Sequence, residues 1–384
     1  MRLALTEEQR ATLAYWVPAL AAGLVTWLVV LLVGQTPLIR ASALALVVVG
    51  MALMLRRWGA PLAFLGGLAF AFSPAFWSQT GGSPDRVSLP VILGGLALAG
   101  VGAVLAARAT RRPALSLILG LFIFALLFLG VLAEPRSLRL TTLLAAWTLY
   151  LLVDGLLLAN PRPDEAPPES LRLRHTLGIL LLLVAGVAND PLFTLLVPAV
   201  SLGWFLSASP VPRRYWLVLL ILLGIGVRGI VLQYVDDGWW LYPATRAEAS
   251  GLRMPFLLAD GWRAASRWIY LFGLMIEQFT PVGLVLSVVG LSRLARWYPT
   301  LGVVMMVAYA TYFVFGLVYF GRDSAVLLLP LLMIQTLWIT YAVYSLGQWL
   351  QRGASPVSYV ARWLAPAAFI LLPLFLLLRI AGVI

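Results

Sequence analysis

The chain is 384 residues long, 62% hydrophobic and 11% charged, with a mean hydropathy of +0.97, and no soluble core absorbs that much apolar sequence. The formal charge of +12 reflects 27 arginines and no lysine against 15 acids. The arginines fall mainly in short turns between apolar runs, which is the pattern of membrane topology and lipid headgroups and excludes a nucleic-acid partner. With no cysteine, disulfides, thiolate metal sites and cysteine nucleophiles are excluded as well.

In chain order, apolar runs predict membrane spans at about 12–33, 37–55, 60–77, 86–107, 113–133, 137–159, 215–235, 277–294, 298–320, 324–347 and 360–382. Residues 176–188 and 191–207 are shorter and meet at Asn189-Asp190-Pro191; they read as a hairpin of two shortened helices or as two tightly joined spans. The fold class is therefore all-α, a polytopic transmembrane protein with about 11–13 spans. The first run is too long for a signal-peptide core and is kept as a span. Organisation follows from the same pattern. Residues 1–159 are N-terminal spans, 160–175 a Pro-rich acidic linker, and 176–235 spans with a broken hairpin. Residues 236–270 form an outer loop with a surface amphipathic helix, and 271–384 the C-terminal spans.

With the N-terminus placed in the cytoplasm, the arginine clusters Arg56-Arg57, Arg111-Arg112, Arg213-Arg214 and Arg293/Arg296 all fall inside. The acids Asp85, Asp190, Asp236, Asp237, Glu277 and Asp323 then fall outside. The single histidine, His175, stands beside Arg172 and Arg174 and reads as a loop or interface residue rather than a metal ligand. Asp154, inside the sixth span, reads as a packing or snorkelling residue.

Four polar constellations share the proposed outer face. The first follows the break at Ser73-Pro74 and the aromatic residues Phe76 and Trp77, and comprises Ser78, Gln79, Asp85 and Arg86. The second is Asn189 with Asp190, which is equally a helix-breaking cap signal. The third is Asp236 and Asp237 with Trp239 and Trp240, or else a solvated turn. The fourth is Glu277 with Arg322 and Asp323, a pair that also reads as a local ion pair and cap. Carboxylates can act as general bases, arginines can hold phosphate through paired hydrogen bonds, and flat aromatic rings suit sugar faces. Between Trp262 and Tyr270, arginines and aromatic residues alternate at helical spacing, predicting the surface helix.

The run Ala-Phe-Ser-Pro-Ala-Phe-Trp-Ser-Gln at 71–79 resembles a signature of a bacterial membrane protein family related to protein O-mannosyltransferases, within the GT-C glycosyltransferase superfamily. So do Phe279-Thr280-Pro281 with its following Val-Gly-Leu, the segment Tyr319-Phe-Gly-Arg-Asp323, Leu329-Pro330 and Leu337-Trp338. Gly186 to Pro198 resembles a further segment, in which Asn189 and Asp190 stand where the family often has two histidines. The resemblance covers most of residues 37–347.

It implies a GT-C-like multispan fold in the cytoplasmic (inner) membrane of a bacterium. It also implies an active site at the outer face, and a polyprenyl-phosphate-linked sugar as donor, with a divalent metal left open. On this reading Asp85, Asp236 and Asp237 are the candidate catalytic residues. Ser78, Gln79, Arg86, Asn189, Asp190, Trp239, Trp240, Glu277, Arg322 and Asp323 are the candidate substrate-binding residues. The sequence departs from the family in its first outer loop, which is only residues 34–40 and carries no acid. A non-catalytic scaffold subunit of a larger membrane complex is therefore the alternative. A lipid-linked-precursor transporter is a third reading, for which neither an inverted repeat nor a charged pathway is visible. Expected partners are membrane lipids, the lipid-linked sugar and other membrane subunits.

Overall fold

The computed structural model describes residues 7–81, 138–159, 173–207, 211–234, 257, 260–321, 324–353 and 358–383. The chain is an all-α polytopic membrane protein, with no strand element among the described residues. Helices α1 (Glu7–Leu32), α2 (Leu38–Leu55), α3 (Ala60–Ala71) and the short α4 (Pro74–Trp77) come first. They are followed by α5 (Leu138–Ala159), α6 (Leu173–Asn189), α7 (Val197–Leu206) and α8 (Arg213–Tyr234). The C-terminal part holds α9 (Ala265–Trp297), α10 (Pro299–Val318), α11 (Ser324–Leu327), α12 (Leu329–Gly353), α13 (Ser358–Phe369) and α14 (Leu371–Ile380).

Seven segments are long and apolar enough to cross a membrane: Tyr15–Leu32, Leu38–Trp58, Leu138–Leu158, Ala265–Trp297, Pro299–Val318, Leu329–Gly353 and Val360–Ile380. Four apolar helices are shorter: Ala60–Ala71, His175–Asn189, Pro191–Leu206 and Tyr215–Ile230. The expected spans at 86–107 and 113–133 lie outside the described residues.

Three expected boundaries shift, each for a local reason. The span expected over 60–77 ends at Ala71, because Ser73 is extended (φ −69°, ψ 139°) ahead of Pro74, and only a single turn follows. The span expected over 277–294 is part of a helix that starts at Ala265 and takes in most of the expected surface helix. It breaks not before Glu277 but at Phe279 and Thr280, where Thr280 has φ +67° ahead of Pro281. A β-branched residue at positive φ is strained. The second arm of the expected hairpin, residues 191–207, begins with a 3₁₀ turn, Pro191–Leu196, before α7.

Helices α2 and α12 are buried almost along their whole length and form the centre of the bundle; α13 and α14 lie on its edge, mostly exposed. Lipid and core are equally apolar, so close helix approach rests on small residues. Gly290 of α9 sits against the Trp338 carbonyl of α12, Gly66 of α3 against Thr340 of α12, and Gly302 of α10 against Ala295 of α9.

The helices alternate in direction, which separates two ends. One carries Arg56, Arg57, Arg293, Arg296 and Arg352; there Trp58 and Tyr298 both pack on the ring of Tyr341. The other carries residues 72–81, the start of α5 and the end of α6.

At the arginine end, Asp154 of α5 accepts hydrogen bonds from Arg57 Nε and Nη2 (3.3 and 3.2 Å). Its second oxygen lies 3.0 Å from His175 Nε2 at the start of α6. His175 is buried in the first turn of α6, not in a loop, and Asp154 acts in helix packing, as a clasp joining it to Arg57. Removing one partner strands the others. Asp154→Leu is therefore expected to lower stability by about 2 kcal/mol, read as thermal unfolding in detergent. An unchanged transition would mean that the clasp is only a solvated surface contact.

Candidate functional site

The site is built on the turn that follows the Ser73-Pro74 break. The Ser73 hydroxyl donates to the Phe70 carbonyl (2.8 Å), closing the end of α3. The α4 turn then starts with a free amide at Ala75, which donates to Gln278 Oε1 of α9 at 2.7 Å. Ser78 and Thr80 return their hydroxyl protons to the carbonyls of Ala75 and Trp77 (both 2.8 Å). Ser78 thus stabilises its own turn.

Gln79 reaches outward from this turn. Its Nε2 donates to Thr142 Oγ1 of α5 at 2.9 Å, while its Oε1 is buried without a hydrogen-bond partner among the described residues. Two guanidinium groups hold the backbone carbonyls beside it. Arg40, at the start of α2 and only 3% exposed, donates from Nη1 to Thr80 and Gly81 (3.1 Å each). Arg139, at the start of α5, donates from Nε to Gln79 (2.9 Å) and from Nη2 to Gly81 (2.8 Å). Backbone carbonyls near membrane depth must be satisfied within the protein, and two cations do so here.

The second constellation joins the first through adjacent residues of α5. Asn189 Nδ2 donates to Thr141 Oγ1 at 2.8 Å, and Thr141 Oγ1 lies 3.4 Å from Asp190 Oδ2. Asp190 is fully buried, and its Oδ1 accepts from the Leu192 amide (3.0 Å), capping the 3₁₀ turn that begins at Pro191. Tyr312 of α10 lies within electrostatic range of Asp190. Its fully buried hydroxyl has no hydrogen-bond partner among the described residues.

Gln79, Asn189 and Asp190 are therefore brought into one polar cluster. Glu277 is not: it is 54% exposed and pairs with Arg379 of α14 at 3.7 Å, while the Arg379 Nη1 donates to its carbonyl at 2.8 Å. Asp85, Arg86, Asp236, Asp237, Trp239, Trp240, Arg322 and Asp323 lie outside the described residues. The sequence reading missed Arg40, Arg139, Thr141, Thr142 and Gln278.

The helix that follows residue 264 has a different local role from the one expected of it. Arg267 Nη2 donates to the carbonyls of Gly316 (2.6 Å) and Tyr319, at the C-terminal end of α10, with its guanidinium over the rings of Tyr270 and Phe320. A cation there complements the orphan carbonyls and the helix dipole. Trp262 and Ile269 remain exposed.

Chemically, the described cluster offers buried amide, hydroxyl and phenol groups beside two guanidiniums. That set suits a polyhydroxylated or phosphorylated ligand rather than an apolar one. Asp190 is committed to capping, with its Oδ1 on the Leu192 amide. No protein-family model, curated protein or solved structure matches this chain.

Proposed function

We propose that the chain is a GT-C-like membrane glycosyltransferase that takes sugar from a polyprenyl-phosphate donor at the outer face of a bacterial cytoplasmic membrane. On this reading the N-terminus is cytoplasmic and the arginine end faces inward. One observation carries most weight. Three segments far apart in sequence, 79–81, 139–142 and 189–190, meet at one end of the bundle, where Gln79 Oε1 and, near Asp190, the Tyr312 hydroxyl are buried without a hydrogen-bond partner among the described residues. Ten buried side-chain polar atoms lack a partner among the described residues, and these two are the ones beside the converging segments, where a ligand or ordered water would satisfy them. Gln79 and Tyr312 would then hold sugar hydroxyls, and Asp85, Asp236 or Asp237 would serve as base. The strained Thr280 at the kink of α9 fits the same picture, since such strain gathers at functional sites.

The test is transfer or hydrolysis of a radiolabelled polyprenyl-phosphate sugar by the purified full chain. We expect at least one of Asp85→Asn, Asp236→Asn and Asp237→Asn to lose about 100-fold or more, the size of a general-base contribution. If all three variants keep wild-type turnover, the base assignment is wrong. If the wild-type chain neither transfers nor binds the donor, the enzyme reading falls.

The second reading, a non-catalytic scaffold subunit, is favoured by how the acid of the cluster is engaged. Asp190 serves the Leu192 amide and Thr141, a structural use. Extraction in mild detergent separates the two readings. Partner proteins at fixed stoichiometry support the scaffold, and a lone chain carrying lipid-linked sugar supports the enzyme.

A further inference from the structure

We propose that the arginine end carries a site for the phosphate headgroup of an anionic membrane lipid, formed between the C-terminal turns of α9 and α12. A cavity of about 210 Å³ opens there, lined by Arg293 and Trp297 of α9 and by Tyr344, Gln348, Trp349 and Arg352 of α12. It is smaller than the ~300–1,000 Å³ of pockets that enclose drug-sized ligands, so it takes a compact group.

The charge is unbalanced. Arg293 and Arg352 come from different helices, yet no carboxylate lines the cavity, and neither guanidinium has a hydrogen bond or ion pair among the described residues. The dipoles of the two helix ends favour one cation each. They do not remove the repulsion between two cations sharing one cavity, and an anion between them does. The contrast with the same end of the bundle is instructive: at Arg57 the charge is already met by Asp154.

Hydrogen-bonding groups point the same way. Gln348 Nε2 donates to the Tyr344 phenolic oxygen at 2.6 Å, which leaves the Tyr344 proton for another acceptor. Depth identifies the source of the phosphate. From Leu329 to Arg352 the helix rises about 35 Å, slightly more than the ~30 Å of a hydrocarbon core, which places Arg352 at headgroup level. Trp297 and Trp349 flank the cavity at 45% and 62% exposure, as interfacial indoles do. Basic pockets between spans near a membrane face recognise anionic headgroups. The inference rests on the membrane fold alone and stands whether or not the opposite end transfers sugar.

The experiment titrates the purified full chain in neutral detergent with phosphatidylglycerol or phosphatidylcholine and counts bound lipid by native mass spectrometry. Each arginine near an anionic headgroup is worth about fivefold, so Arg293→Gln with Arg352→Gln is expected to lower phosphatidylglycerol affinity by about 25-fold. Phosphatidylcholine binding should not change. Arg296→Gln is the control, since Arg296 is exposed on the same helix end and does not line the cavity; it should keep wild-type affinity. Wild-type affinity in the double variant, or an equal loss in Arg296→Gln, overturns the site. Inorganic phosphate replaces the lipid in a thermal-shift arm. Stabilisation by phosphate that equals that by phosphatidylglycerol and needs both arginines would make the occupant a soluble anion and overturn the lipid assignment.

Discussion

Replacing Gly290 with alanine is expected to lower the stability of the chain by about 3 kcal/mol or more, because the added methyl has nowhere to go. A Cβ at this position would stand 1.8 Å from the Trp338 carbonyl oxygen, 2.5 Å from its carbon and 3.0 Å from its Cα. All three are backbone atoms of a helix, so no side-chain rotation relieves the clash and α9 must move away from α12. The matched control is Gly273→Ala, on the same helix, where no atom lies within 4 Å of the new methyl. There the higher helix propensity of alanine, about 1 kcal/mol, should leave stability level or slightly raised. Thermal unfolding of both variants in the same detergent decides the matter. Equal transitions would mean that the two helices are not packed at this distance.

The consequence extends to the site, because α9 also carries Gln278, the residue that receives the Ala75 amide. Spreading α9 from α12 would loosen that contact as well, so on the proposed function Gly290→Ala should weaken donor binding more than Gly273→Ala does.

What could be read from the sequence follows the range of the interactions involved. Seven of the expected spans were legible because apolar length is a local property, and the break at Ser73-Pro74 because proline acts on its own neighbours. The Asp190 cap was legible for the same reason, since it bonds an amide two residues ahead. The helix that runs from Ala265 to the kink at Phe279 and Thr280 was not. Glu277 reads from sequence as the start of a span, whereas it lies inside α9 and pairs with Arg379, and Gln278 beside it satisfies an amide 203 positions away. The Thr280-Pro281 pair did carry the signal for the true break, because a residue before proline avoids the helical region.

Within the cluster, Gln79 and Asn189 stood out as polar residues at the ends of apolar runs. Arg40 and Arg139 did not, because their partners are backbone carbonyls, which leave no trace in residue identity. The clasp of Arg57, Asp154 and His175 was hidden likewise, spread over three helices that meet only when the bundle forms.

Arg40 provides the sharpest test of how the cluster is held. The residue is 3% exposed, and its guanidinium donates to the carbonyls of Thr80 and Gly81 at the end of a turn otherwise held by short-range backbone bonds such as Thr80 N–H to the Trp77 carbonyl at 2.9 Å. Arg40→Met keeps most of the apolar stem but leaves the carbonyls of Thr80 and Gly81 short of a charged donor. A hydrogen bond to a charged group contributes about 1.5–3 kcal/mol, so a loss of about 3 kcal/mol is expected. Arg139 still reaches Gly81, and the Thr36 hydroxyl, at 3.4 Å, is a weak substitute at Thr80. Arg40→Lys should recover only part of the loss, since an ammonium does not present the planar fork that spans two carbonyls. Arg139→Met, at a half-buried position, should cost less than Arg40→Met. The measurement pairs thermal unfolding with binding of the polyprenyl-phosphate sugar. If the turn at 78–81 is positioned by Arg40, both readouts fall together in Arg40→Met and recover partly in Arg40→Lys. Unchanged melting in Arg40→Met would show that the turn supports itself, and the convergence of α2, α5 and α6 on Gln79 would lose its mechanical basis.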